Sequence, residues 1–484
     1  MSISSSLSNA LSGLSAASRA AEVVSANTAN ALTAGYARRE LSLSSLSLGG
    51  DGAGVRINGV NRVVDQAVLS DRRLAMSETE NSSVKTDFYT KFEASLGAPG
   101  ADGSLSSRIV KLESSMIEAA SRPDSEARLA AVLNAAKGVT GQLNTLSKDL
   151  GQTRMQADNG IADTVTSLND ALSRIDQLNS DILAQRASGR DATSLMDQRQ
   201  EQVDKVALIV PIREVARDHD QISLFTTGGA ILLEGNAVTI GFSPVGVITP
   251  DMTLASGALS GLTINDIPVS ASDHGVLGGG RLGALFAIRD ELAPKMQTQL
   301  DAFARDLISR FQDSDVDPTL SGTALGLFTD AGAAFDPMIE TGLAERISIN
   351  SDADPEKDGA LRRLRDGLGP GPAGSVGDAS LLTAMAEALT APHPPASGSF
   401  LGAARSSSGL AGDLLSQASG ARLSAEERQS YATARFEALT ELQLADGVDI
   451  DHEMQVLLQV EQAYAANARV IKTVDELIQQ ILAL

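Results

Sequence analysis

Apolar side chains recur in alternating steps of four and three at both ends of this chain. At the start the series is Ile3, Leu7, Ala10, Leu14, Ala17, Ala21, Val24, Thr28 and Ala31, and only Thr28 is polar. At the end it is Val456, Val460, Ala463, Asn467, Val470, Val474, Leu477, Ile481 and Leu484, and only Asn467 is polar. A mean spacing of 3.5 keeps a narrow seam turned towards one partner, as in coiled coils. The spacing predicts two terminal helices of about 30 residues each. A thin stripe rich in Ala and Ser buries little area alone, so each helix needs neighbours. The termini are expected to pair with each other and with other copies, and Asn467, polar inside the seam, to fix register.

Between the ends the period changes several times. Asn27, Asn30, Thr33 and Gly35 stop the first helix, with Gly35 free to take φ > 0. Residues Glu40–Leu48 and Val55–Asn61 read as two strands, turned by Gly49, Gly50, Asp51, Gly52 and Gly54. From about 64 to 205 the steps are helical, through Leu129–Leu150 and Ile161–Ile182, with Asn179 in one apolar slot. Past Pro211, short β-branched runs up to about 270 predict a small antiparallel β domain. Helical spacing returns from Leu285 to Leu307. Five of the 15 prolines lie at 370, 372, 392, 394 and 395, and residues 313–400 read as exposed loops. Ser424-Ala425-Glu426-Glu427 fits a capping box that would open the last helical region. Asp446-Gly447 breaks it, and Asp449, Asp451 and Glu453 then sit at the positive end of the final helix.

The fold class is therefore α+β and mainly α, with terminal coiled-coil helices, a discontinuous helical bundle and an inserted antiparallel β domain. Residues 1–36 and 446–484 form the terminal layer; 37–205, 281–312 and 401–445 the bundle; 206–280 the β insertion; and 313–400 a variable loop-rich segment or small subdomain. The 484 residues carry a formal charge of −22 from 39 basic and 61 acidic side chains. That balance argues against nucleic acid, which needs clustered cations, and against a membrane surface. No run of 18 apolar residues is present to span a bilayer. Zero Cys removes disulfides, thiol catalysis and Cys-ligated metals, and 3% aromatics suits close helix packing better than a deep ligand pocket. The first 18 residues carry no charge and no continuous apolar run, so no Sec leader is read. The chain is expected to be cytosolic or exported with its N terminus intact.

Searches for chemistry return little. Gly278–Gly283 satisfies G-x-G-x-x-G without the flanking strands of a dinucleotide site, and is read as a helix entry. Asp313, Asp315 and Asp317 start like a calcium loop, but Pro318 and Ala324 stand where Gly and Glu are needed; a solvated acidic turn is expected. The four histidines share no ligand spacing. No catalytic, cofactor or metal site is assigned.

Two signatures remain. Asn27-Thr28-Ala29-Asn30-Ala31-Leu32-Thr33-Ala34-Gly35-Tyr36 resembles the segment after the first helix of bacterial flagellar rod, hook and hook-associated proteins. Gly447-Val448-Asp449-Ile450-Asp451-His452-Glu453-Met454, followed by Gln462-Ala463-Tyr464-Ala465-Ala466-Asn467-Ala468, resembles their closing segment. Internally, Leu178–Ile182, Leu195-Met196-Asp197-Gln198-Arg199, Thr227-Gly228-Gly229, Leu233-Glu234-Gly235 and Gly279–Leu285 are similar to the hook–filament junction members. Departures are Leu32 for Asn, Ala34 for Pro, Asp449 for Asn and His452 for an acidic residue.

The resemblance implies a structural, non-enzymatic component of the flagellum, secreted through the flagellar type III export apparatus and used for motility. It implies assembly as a helical ring with copies of itself, contact with the hook protein and with a second junction protein, and a cytoplasmic export chaperone on the C-terminal helix. Its place would be extracellular, at the hook–filament boundary, after a transient cytoplasmic stage. The expected assembly seam is Ile3, Leu7, Leu14, Val24, Val456, Val460, Asn467, Val470, Val474, Leu477 and Ile481. The expected signature residues are Asn27, Asn30, Gly35, Tyr36, Asp197, Gln198, Arg199, Gly447, Gln462, Tyr464 and Asn467. The hook protein itself shares the terminal signatures and is the alternative within the family; a soluble enzyme on a helical scaffold is the alternative from another class.

Overall fold

The computed structural model describes residues 3–33, 35–48, 51–270, 272–322, 324–400 and 403–483. Ala34, Gly49, Gly50 and Leu484, which entered the turn and seam expectations, lie outside the described residues. The order opens with α1 (Ile3–Ala29), β1 (Arg39–Leu48), β2 (Asp51–Arg62), α2 (Gln66–Leu96), α3 (Leu105–Ser121), α4 (Glu126–Ala187) and α5 (Thr193–Ile209). Short strands follow: β3 (Ile212–Ala216), β4 (Ile222–Thr226), β5 (Ile231–Glu234), β6 (Asn236–Ala237), β7 (Ile240–Gly241), β8 (Leu262–Ile264) and β9 (Ile267–Val269). Then come α6 (Gly280–Ala287), a π-helical turn (Ile288–Leu292), α7 (Ala293–Phe311), β10 (Phe328–Asp330), α8 (Leu343–Arg346), β11 (Ile347–Ile349), α9 (Arg363–Asp366), α10 (Ser380–Thr390), α11 (Ser407–Ala445) and α12 (Ile450–Leu482). The fold is mainly α with small antiparallel sheets.

The chain divides into two compact units, and α2, α4 and α11 contribute to both. The first comprises Met1–Thr79, Thr166–Ile240 and Tyr431–Leu484. In it α1 packs along α12 and against the β1–β2 hairpin. The hairpin pairs Leu41 with Val60 and Leu43 with Ile57, with a slip of register between Ser42 and Leu43. Ser12 of α1 accepts a hydrogen bond from the Val55 amide at 3.2 Å, fastening the hairpin to the helix. The end of α4 buries Ile175, Leu178 and Ile182 completely, and α5 buries Val203 and Val206. The sheet β3-β4-β5-β6 is antiparallel, with Ile212 opposite Thr226 and Ala216 opposite Ile222.

The second unit comprises Glu80–Val165 and Gly241–Ser430. The stripe Leu129, Val132, Ala136, Val139, Leu143 and Leu146 on α4 is buried, as its spacing requires. Ser147 donates to Gln297 of α7 at 2.9 Å, and α10 packs on α3 and α7. Arg289 is fully buried between Asp158 (2.6 Å) and Asp290 (2.8 Å). Such a cation is tolerable in an interior only with paired, hydrogen-bonded acids.

Three expectations are corrected. Residues 206–280 do not form one inserted β domain. The strands up to β6 belong to the first unit and β8–β9 to the second. The reason is a row of polar side chains on α4 that satisfies the backbone of the β segment as it passes. Asn179 bonds both backbone groups of Ile222, Asp176 accepts from Ala237, and Asn169 bonds both groups of Ile240. Asp158 accepts from Val245, and Arg154 donates to the carbonyls of Thr249 and Met252. Besides pairing with one another, the strands and loops of this segment are thus fastened to the part of α4 beside them.

Ser424 does not open a helix. It lies inside α11, which starts at Ser407 because Leu410, Ala411, Leu414 and Ala418 already present a buried face. Nor is the acidic turn wholly solvated. Asp317 is buried and accepts from Thr319 (Oγ1 at 2.6 Å) and from the Leu368 amide at 2.9 Å. Residues 313–400 also hold the β10–β11 pair and three short helices, and Phe328 meets Phe311 of α7 edge-on at 5.1 Å.

Candidate assembly surface

Helix α1 has few large apolar side chains, so its buried face is built from Ala10, Ala16, Ala17, Val23 and Val24. Small residues let helix backbones approach closely, and one position shows how closely. A Cβ placed on Gly13 would lie 2.6 Å from Asn467 Oδ1 and 2.8 Å from its Nδ2. Asn467 bonds its own helix, donating to the Ala463 carbonyl at 2.9 Å, and rests its amide in the space that Gly13 leaves. The polar break in the C-terminal seam therefore meets the residue without a side chain in α1.

Pairing within the chain covers only part of the two seams. Val24 and Val474 are buried, while Leu14, Val456 and Val460 are half-buried. Val470 is 43% exposed, Leu477 43% and Ile481 59%, and Ile3 and Leu7 are also exposed. Leu458, Ile478 and Leu482 add to the uncovered apolar surface of α12. Isolated apolar residues on a surface are ordinary, whereas a continuous stripe marks an interaction face.

Below the seam, three signature residues, Asn27, Tyr36 and Asp197, converge. Asn27, 1% exposed, donates from Nδ2 to Glu453 Oε1 (3.0 Å) and to the Arg39 carbonyl (2.9 Å). Its Oδ1 accepts from the Tyr36 hydroxyl (2.8 Å) and the Arg39 amide (3.0 Å), so the carboxamide is fully used. Asp197 receives Arg39 at 2.9 Å and Arg62 at 2.8 Å. Arg199 lies apart from them, donating to Asn179 and to the Asp220 carbonyl. The Arg39 guanidinium lies 4.8 Å from the centre of the Tyr36 ring. Burial raises the pKa of the Tyr36 hydroxyl, against the lowering pull of Arg39. Burial also lowers the pKa of Arg62, only partly offset by Asp197. One network thus joins the end of α1, the hairpin, α5 and the first turn of α12.

The other signature residues have local roles or none in this network. Gly35 takes φ +78°, as expected after a helix end. Asn30 donates back to the Ala26 carbonyl, Gln198 accepts from Arg174 at 3.4 Å, and Gly447 donates to the Leu444 carbonyl. Gln462 and Tyr464 are exposed on α12. Asp449 caps α12, accepting from the amides of Asp451 and His452. Arg39, Arg62 and Gly13 were not singled out by sequence, and Glu453 was read as a helix-end charge rather than as the partner of Asn27. Only the seam alignment of Asn467 hinted at Gly13. Among the described residues no three His, Asp or Glu side chains cluster as a metal site. Among them no helix is long and apolar enough to cross a membrane.

Residues 90–317 match the model of the flagellar hook-associated protein FlgK helical domain, and residues 445–484 that of the flagellar basal body rod FlgEFG protein C-terminal region. Over these residues the chain is similar to the flagellar hook-associated proteins. It is similar to flagellar hook-associated protein 1 of Bacillus subtilis, 25% identical over 98% of this chain and 97% of that protein. To the Salmonella typhimurium protein of the same name it is 27% identical over 57% of this chain, spanning about half (51%) of that relative's length. A solved structure, the flagellar hook junction protein FlgK from Burkholderia pseudomallei, overlaps 54% of this chain and 47% of its own, at 22% identity and TM-score 0.45. The FlgEFG-type match falls on α12, the helix that carries the uncovered stripe.

Proposed function

We propose that this chain is a structural part of the bacterial flagellum that joins hook to filament and assembles as a ring through residues 1–36 and 446–484. The observation that carries this reading is the stripe Val470, Leu477 and Ile481, still exposed after α12 has paired with α1. A helix pair that keeps an apolar stripe in water gains stability when a neighbouring copy covers it. Copies of itself, the hook protein and a second junction protein are the proposed partners. A cytoplasmic chaperone would cover α12 before passage through the type III export apparatus, so the same stripe is used twice. The proposed final location is extracellular, at the hook–filament boundary.

Labelling intact flagella tests the location: signal confined to the boundary is expected, and signal along the whole hook would favour the hook-protein alternative. The segment Asp197-Gln198-Arg199 supports the junction over the hook. Val470→Asp tests the stripe. A charge cannot be buried unpaired at low cost, so the variant is expected to fold yet leave cells without filaments. Normal filaments on such cells would remove the stripe from assembly.

A further inference from the structure

Arg199 is 8% exposed, and the groups it bonds are neutral. Its Nη1 donates to Asn179 Oδ1 at 2.8 Å and to the Asp220 carbonyl oxygen at 2.6 Å. Among the described residues it forms no ion pair with a carboxylate, and burial pushes its pKa down to about 10. A buried charge ordinarily has a counter-charge.

Beside Arg199 lies a cavity of about 510 Å³ in the first unit, also lined by Arg62, Arg186, Arg217, Glu214 and Asp220. The two carboxylates in its wall are already engaged, Glu214 with Arg73 at 2.6 Å and Asp220 with Arg186 at 2.6 Å. Arg62 is held from outside the lining by Asp197, and Arg217 by Glu234. Of the four lining guanidinium groups, Arg62, Arg186 and Arg217 are thus each paired with a carboxylate, and Arg199 bonds only neutral groups.

We propose that this cavity is an oxyanion site, which takes a carboxylate or phosphate group against Arg199. The planar guanidinium fork matches the two oxygens of such a group, and partial burial strengthens the contact. The group has two possible sources: a free small anion, or a carboxylate presented by another copy of this acidic chain. The proposal is independent of the reading of the terminal seams.

The test uses the full chain, titrated calorimetrically with inorganic phosphate and with succinate in chloride buffer of matched ionic strength. Concentration-dependent self-association is followed in parallel, with and without each anion. Because Arg199 also holds Asn179 and the Asp220 carbonyl, its replacement endangers the fold, so two other variants decide. Arg217→Gln is expected to weaken anion binding about tenfold, the loss of one charge-assisted contact. Ala216→Glu, at an exposed position on the cavity wall, supplies the carboxylate from within, and is expected to abolish binding and raise the thermal midpoint.

Saturable binding that Ala216→Glu removes supports a free anion. Self-association that either anion competes away, and that Ala216→Glu removes, supports a carboxylate from another copy. Absence of both behaviours in the unmodified chain overturns the proposal, and so does either behaviour persisting unchanged in both variants.

Discussion

Helices α7 and α12 carry apolar residues at the same helical spacing and have opposite fates. Of the 19 residues of α7, 14 are buried, including Leu300, Phe303 and Leu307. Of the 33 residues of α12, only Glu453 and Val474 are buried. α7 has its partners within the chain: Gln297 receives Ser147 of α4, and Arg310 donates to the carbonyls of Ala388 and Ala391. α12 has one long partner, α1, whose face is largely Ala and Ser. A periodic stripe therefore states that a helix needs a partner, and leaves open whether that partner lies in the same chain.

Truncating the buried side of this contrast is expected to have the largest effect on stability. Leu300→Ala, at a fully buried site, should cost about 2–5 kcal/mol in urea unfolding. Val470→Ala, at a 43% exposed site, should change the same midpoint by less than about 0.5 kcal/mol. Equal losses at the two sites would break the comparison.

The next largest effect is expected where α12 is most firmly held. Asn27→Ala leaves the Glu453 carboxylate, the Tyr36 hydroxyl and the Arg39 amide without their shared partner. A loss of about 2–3 kcal/mol is expected, because unsatisfied buried polar groups retain their full desolvation cost. A double-mutant cycle with Glu453→Gln should show strong coupling, and additivity would deny the network.

Gly13 and Asn467 probe the register of the pair. Gly13→Ala gains about 1 kcal/mol in helix propensity but drives a Cβ into the Asn467 amide, so little net change is expected. In an Asn467→Ala background the clash is gone, and Gly13→Ala should stabilise by about that full amount. The same gain in both backgrounds would show that the two residues do not meet.

The smallest effect compares caps. Asp449→Ala at α12 and Ser104→Ala at α3 each remove a side chain that accepts helix N–H bonds, at a cost of about 1 kcal/mol. Hydrogen exchange should show the first as local fraying of α12, and the second as a change shared by its well-packed surroundings. Identical patterns would blunt the distinction between the regions.

Much of the fold was legible because its elements announce themselves locally. The β1–β2 hairpin, the buried stripe of α4, the entry to α6 at Gly279 and the cap at Asp449 follow from spacing, glycine and polar side chains. The start of α11 was misplaced because Ser424 has the residues of a capping box yet sits mid-helix, where a capping side chain has no free N–H to accept. The division of the β segment was hidden because Asn169 and Asp176 look like solvent-facing residues, and Asn179 like a polar break in an apolar stripe, until the strands they hold are folded beside them.

The sequence by itself determined the helical ends, their 3.5-residue seams and the polar break at Asn467, because periodicity is a property of consecutive residues. Tertiary structure alone decided that Gly13 receives Asn467, that Asn27 satisfies Glu453 across 426 positions, and that Arg199 lies beside a cavity whose two carboxylates are paired with other arginines. Those are meetings of distant residues, set by desolvation and hydrogen-bond satisfaction in three dimensions, and no spacing along the chain encodes them.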